Sequence, residues 1–163
     1  MKTLLRCAAL AFLAVAAAAW SDDAVRLVTS VDKVERASNA RGEPERRLVA
    51  AERVTRGDEL QYSITFINQS DETVDAGSIV ITNPIPDNTI YVDDSAYGAG
   101  TDIVFSADAG ESWGAPGLLT TSSGGGGAVP RADAADYTHI RWTYQSPLEP
   151  GQQGSVSFRV ILQ

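Results

Sequence analysis

Histidine and cysteine each occur once in the 163 residues, and each scarcity removes a class of chemistry. A zinc site draws on several Cys and His ligands, and this chain cannot assemble one. Cys7 has no second thiol to pair with, so no disulfide forms within the chain. His139 would need an activated serine and a carboxylate beside it to act as a catalytic base, and no nucleophile-elbow motif is present. Basic residues are also few, 13 Lys and Arg against 21 Asp and Glu, for a net charge of −8. A surface this acidic repels phosphate backbones and argues against nucleic-acid binding. Long apolar runs are missing too. The longest, Cys7 to Ala19, falls well short of the ~20 residues that span a bilayer. No strand alternates with an amphipathic helix, which argues against a nucleotide-binding α/β fold.

What is present at the N-terminus reads as an export signal. Lys2 and Arg6 precede the charge-free run from Cys7 to Ala19, and small residues fill positions 16 to 19 before Trp20, Ser21 and the acidic pair Asp22-Asp23. Positive start, short apolar run and small-residue exit are the parts of a secretory signal peptide over residues 1–19. The cut falls after Ala19, or after Ser21 with Ala19 at the −3 position. Cys7 precedes the apolar run, so it is not placed as a lipoprotein cysteine. Cleavage removes the only cysteine, and without Lys2 and Arg6 the net charge moves from −8 to −10. The expected mature chain has no membrane span and is periplasmic or secreted.

Residues 24–163 read as one all-β domain. Val25, Leu27, Thr29 and Val31 alternate with polar neighbours in a first strand over Ala24 to Val34, with Lys33 and Glu35 guarding a sheet edge. Glu35 to Arg47 has no apolar residue but Ala and carries Arg41, Arg46 and Arg47, so an exposed loop is expected there. A short strand over Leu48 to Val54 follows. Leu60, Tyr62, Ile64 and Phe66 alternate to Asn68, and Ser78 to Thr82 resumes a strand. Asn83-Pro84-Ile85-Pro86 ends it, because each proline removes a backbone donor. Thr89 to Val92, Asp102 to Phe105, Thr138 to Tyr144 and Val156 to Leu162 complete about seven to nine strands. Near 117–136, Gly, Ser, Thr and Ala form a flexible glycine-rich loop. Turns at this spacing point to a sandwich of two antiparallel sheets.

Three stretches together resemble a known family. Gly57-Asp58-Glu59-Leu60-Gln61-Tyr62-Ser63-Ile64-Thr65-Phe66-Ile67-Asn68 is similar to a pattern G-D-x-h-x-Y-x-I-x-h-x-N, where h is apolar. Val80-Ile81-Thr82-Asn83-Pro84-Ile85-Pro86 resembles h-h-T-[DN]-x-h-P. Pro150-Gly151-Gln152 with Val156-Ser157-Phe158 resembles a closing P-G-x…h-x-F strand. In order and spacing these resemble the bacterial envelope-protein family catalogued as domain of unknown function number eleven, over roughly Val25 to Leu162. The resemblance implies an immunoglobulin-like sandwich, often repeated in secreted or surface-attached proteins as a spacer or adhesive stalk, with no catalytic residues to transfer. This chain departs from the family in having one copy, no cell-wall sorting tail, and the glycine-rich insertion. Asn83 stands where many members have Asp, which weakens any metal site built on that position.

Ser106-Ala107-Asp108-Ala109-Gly110-Glu111-Ser112-Trp113 matches S-x-D-x-G-x-x-W and resembles the Asp box of sialidases and other β-propellers. Its physics is local: Ser and Asp oxygens satisfy turn amides, Gly110 takes a positive φ, and Trp113 packs under the hairpin. In sialidases the box lies away from the active site, so a structural turn is expected. Among the many carboxylates, Asp93, Asp94 and Asp102 are the candidates for a calcium site, which needs six to eight oxygens; no EF-hand loop is present. Asn68-Gln69-Ser70 also fits a glycosylation acceptor.

The expectation that follows is an exported, non-enzymatic structural or protein-interaction module of the bacterial cell envelope, without a cofactor, whose partner is an envelope protein or surface component. The alternative is a module binding calcium or glycans through the acidic loops and exposed aromatics such as Tyr91 or Tyr97. A glycoside hydrolase, suggested by the Asp box, is third.

Overall fold

Why the β3 residues alternate is visible in what they touch. In a computed structural model, which describes residues 24–121 and 130–163, β3 (Glu59–Asn68) buries Leu60, Ile64, Phe66 and Asn68 and half-buries the residues between. It lies at the centre of a sheet with β9 (Gln153–Leu162) on one side and β1 (Val25–Ser38) on the other. β2 (Pro44–Ala50) extends the sheet beyond β1, and β5 (Thr89–Tyr91) and β6 (Tyr97–Gly98) both pair with β9. A second sheet orders β4 (Val80–Pro84), β8 (His139–Tyr144) and β7 (Thr101–Ser106). Every pairing is antiparallel. The described residues form an all-β antiparallel sandwich of nine strands, in which the last strand takes the central place beside β3. The expected signal segment, residues 1–19, and positions 122–129 of the glycine-rich loop lie outside the described residues. Among the described residues no helix is long and apolar enough to cross a membrane.

The core is what the two sheets press between them. Trp142 and Ile140 of β8 face Phe158, Val156 and Val160 of β9, all 0–1% exposed, with the Trp142 and Phe158 rings 6.0 Å apart. Tyr62 stacks on Phe158 at 5.1 Å within the larger sheet. Truncating any one of these rings to Ala is worth about 3–5 kcal/mol.

The structure differs from the sequence reading at four places. Glu35 to Arg47 is not a loop. β1 runs on to Ser38, and its register passes from β3 to β2, with Glu35 opposite Arg47 and Arg36 opposite Arg46. The short strand expected over Leu48 to Val54 is therefore the end of β2, and together the two strands form a hairpin arm. Its turn is tied by Asn39, whose Oδ1 accepts from the amides of Arg41 and Glu43. β4 runs through Asn83 to Pro84, and Ile85 still donates its amide to Thr138 before Pro86 ends the pairing. The flanks of the glycine-rich loop are packed rather than loose: Thr120 bridges Arg131, and Leu119, Ala132 and Tyr137 are buried. Tyr91, expected as an exposed aromatic, is 4% exposed, whereas Tyr97 is 64% exposed.

Candidate interaction surface

The two sheets differ in width, and that difference creates the surface. Strands lie about 4.8 Å apart, so three of them cannot roof a sheet five strands across. The uncovered part lies on the inner side of β1 around Leu27, between Val25 and Val31, which pack against the core. Leu27 pairs with Phe66, which is buried, yet Leu27 itself is 55% exposed. Across from it, Val80 at the start of β4 is 51% exposed. Between them runs an open groove of about 200 Å³ lined chiefly by Val25, Leu27, Val74, Ile79, Val80 and Ile81.

One wall of this groove is a strand edge. In an antiparallel ladder alternate residues exchange both main-chain hydrogen bonds with the partner strand, and the residues between them point theirs away. Tyr144 donates to Ile79 O, and Ile85 donates to Thr138 O, which fixes Ile79, Ile81, Asn83 and Ile85 as the residues bonded to β8. Val80 and Thr82 therefore direct N–H and C=O groups outward, and Pro84 directs its C=O. β4 pairs with no strand on that side. Pro84, which has no N–H to offer, limits this edge at one end.

The motif residues close the two ends of β3 instead of forming a reactive centre. At one end Gly57, with φ 88°, donates to Leu162 O. Asp58 Oδ2 accepts from Lys33 Nζ at 2.9 Å and from the Thr55 amide at 2.8 Å, and the Lys33 hydrogen bond leads in holding its carboxyl below the usual range. At the other end the buried Asn68 side chain donates to Glu72 O and Leu148 O, and Gly151 donates to Asn68 O. Asn68 is therefore a tie between loops and has no exposed amide to carry a glycan. Asn83 donates to Pro84 O, and Pro86 O accepts from Thr89 Oγ1.

The turn from Ser106 to Trp113 is likewise self-contained. Ser106 Oγ, fully buried, accepts from the amides of Asp108 and Gly110, and Asp108 Oδ1 accepts from the Ser112 amide. Hydrogen bonds from Ser112, side chain first, hold the Asp108 carboxyl down to about 2. Ala109 and Gly110 take φ 59° and 91°. Trp113 donates its indole N–H to Gly110 O and receives the Arg141 guanidinium 3.7 Å above its ring. Its other neighbour is His139, 6.3 Å away between ring centres. The hydroxyls of Ser106 and Ser112 donate to the Asp108 carboxylate, so carboxylate and hydroxyls are spent on the turn's own groups.

The calcium candidates do not converge. Asp93 and Asp94 rim a cleft of about 260 Å³ beside Tyr91, Ile103 and Phe105. Asp102 is next to Ile103 on β7 and so projects from the opposite face of that strand. Among the described residues no group of three or more His, Cys, Asp or Glu side chains is placed to hold a metal ion. The groove at β4 was missed in the sequence because it depends on how many strands each sheet has. The one signal for it was a run of apolar residues followed by two prolines, at 84 and 86.

No family model, no curated protein and no solved structure matches the chain.

Proposed function

We propose that the chain is an exported, non-enzymatic interaction module of a bacterial envelope, a single copy of the sandwich that its resemblance implies. In this reading it takes up an extended segment of a partner envelope protein along β4. The observation that carries the reading is the unpaired edge of Val80 and Thr82 beside the exposed Leu27. Outward main-chain donors and acceptors next to an apolar floor suit one kind of ligand: a strand whose main chain completes the ladder and whose alternate apolar side chains fill the groove. The Asp108 carboxylate, occupied by its own turn, supports a structural role for that motif in place of a hydrolytic one.

A photo-crosslinking side chain placed at Val80 tests this. In envelope extract it is expected to capture one partner. Thr82→Pro, which deletes an outward N–H without touching the β8 ladder, and Leu27→Asp are each expected to abolish capture. Val28→Asp, on the other face of β1, is expected to leave it intact. Capture that survives both groove substitutions overturns the reading. Glycoside substrates are expected to remain uncleaved by the protein and by Asp108→Ala alike, and turnover lost in that variant would reinstate the hydrolase.

A further inference from the structure

The hairpin arm carries two arginines, Arg36 and Arg46, that no ion pair among the described residues engages. The pairing of β1 with β3 ends at Lys33 opposite Leu60, and β2 pairs only with β1; Val34 is still buried, so the hairpin from Glu35 to its turn at Asn39 stands past the end of the sheet. Five residues at about 3.3 Å each give it a reach of about 17 Å. Alternation sorts its side chains into two faces. One face has Glu35 opposite Arg47 and Ala37 opposite Glu45, charges of mixed sign. The other has Arg36 opposite Arg46, flanked by Ser38 opposite Pro44 and Val34 opposite Leu48, with no carboxylate. Like charges directly opposite in a ladder repel. Both arginines are exposed, and the two ion pairs among the described residues, Lys33–Asp58 and Arg159–Glu59, use neither of them.

The rest of the molecule has the opposite sign. From Lys33 to Gly57 seven basic residues face four acidic ones, whereas the remainder of residues 24–163 has four basic and fifteen acidic. The acidic excess includes the far end of β3. There the loop after Asn68 carries Asp71, Glu72 and Asp75, and the loop before Gly151 carries Glu149. Main-chain hydrogen bonds in both directions between Val74 and Leu148 hold the two loops together. All four carboxylate residues are exposed, and neither loop has a Lys or Arg. Arg36, three residues past the end of the β3 pairing, stands about 10 Å from it, a little over one Debye length of about 8 Å. The arm therefore meets a ligand with its own positive field and not with the net charge of the whole chain.

We infer that this arm docks on the acidic loop end of a second copy of the same chain, head to tail. The Arg36/Arg46 face supplies two guanidinium groups, and the loops around Val74 and Leu148 supply the carboxylates. The two patches lie at opposite ends of one subunit, so the contact is heterologous and each copy keeps one free arm and one free acidic end. Association of this kind propagates along a line and weakens with salt. Its acidic loop adjoins the β4 groove, which Val74 also lines, but its contacts are exposed carboxylates and an arm at the other end of the subunit, not the unpaired edge of β4.

Sedimentation velocity on the protein tests the inference. Self-association that grows with concentration is expected at low salt, with a dissociation constant weakened on the order of tenfold or more at high salt. The double variants Arg36→Glu/Arg46→Glu and Asp71→Arg/Glu72→Arg are each expected to sediment as monomers. An equimolar mixture of the two is expected to associate again, because each then offers the charge that the other lacks. That recovery separates a lost contact from a lost fold. A wild-type monomer throughout the concentration series at low salt overturns the inference. So does association that survives either double variant, or a mixture that stays monomeric. Binding of the arm to anionic phosphatidylglycerol vesicles by a chain that remains monomeric overturns it in favour of a membrane surface.

Discussion

The side-chain amide of Asn68 donates to the main-chain carbonyl of Leu148 at 2.8 Å, joining residues 80 positions apart. The same amide donates to Glu72 O at 2.7 Å, and its oxygen accepts from the Ser70 amide and hydroxyl. One buried side chain thereby satisfies both loops at that end of the sandwich. Asn68→Asp replaces the two-hydrogen donor with an acceptor and leaves two carbonyls facing a carboxylate. A loss of about 2–4 kcal/mol is expected, measured as a lowered urea midpoint. Expression in a glycosylating host is expected to add no glycan at Asn68, read as an unchanged mass.

Acid should loosen the molecule at two carboxylates. The Asp108 carboxyl titrates near 2 in the folded chain against 3.8 for the free group, and Asp58 is also lowered. A depressed folded value means that the unfolded chain binds the proton more readily. For Asp108 the stabilisation is therefore complete above about pH 4 and is lost as pH falls through about 2. Asp108→Asn is expected to flatten the dependence of thermal midpoint on pH between those limits. Ser112→Ala, which removes the leading hydrogen bond, from the Ser112 hydroxyl, and keeps the one from its amide, is expected to move the Asp108 titration upward in carboxyl-resolved NMR.

β3, β8 and β9 were legible in the sequence because each lies between two layers or two strands, and one-sided burial writes itself as alternation. The prolines at 84 and 86 were legible for a different reason, since a missing donor is local chemistry. The β1–β2 arm was not legible: both of its faces are wet, so Glu35 to Arg47 has no apolar period and reads as a loop. Nor could the exposure of Leu27 be read, because its pattern is that of an inward residue and only the width of the facing sheet leaves it bare. Asp102 looked like a companion of Asp93 and Asp94 until β7 placed it on the other face. Tyr91 failed in the same way, its fate set by which loop folds over it.

That loop supplies a third prediction. Tyr91 Oη accepts from the amides of Ser95 and Ala96, at 3.1 and 2.9 Å, and so fastens the turn after β5 to the core. Tyr91→Phe leaves the Ala96 amide without this acceptor. About 1–2 kcal/mol is expected to be lost, a fall in Tm of about 3–8 °C. Burial pushes the phenol's pKa above 10.0. Tyr91 should therefore ionise above the ordinary phenol range in an alkaline absorbance titration. Stability held below pH 10 should be lost as pH rises toward the folded-state value.

Gly154 of β9 lies directly opposite Phe66 of β3, and a methyl group built on it would sit 2.2 Å from the Phe66 ring. The ring covers the glycine and meets Tyr144 edge-on at 5.1 Å, so it fills the space where a neighbouring side chain would otherwise stand. Phe66 is 1% exposed and has little room to swing away. Gly154→Ala is expected to cost about 1–3 kcal/mol through overpacking, although alanine is the better residue for an unstrained strand. Pairing it with Phe66→Leu, which shortens the obstructing side chain, should make the double variant less destabilised than the two single losses summed. A double-mutant cycle in urea reads that coupling directly. Additive losses would mean that the ring and the glycine do not depend on one another.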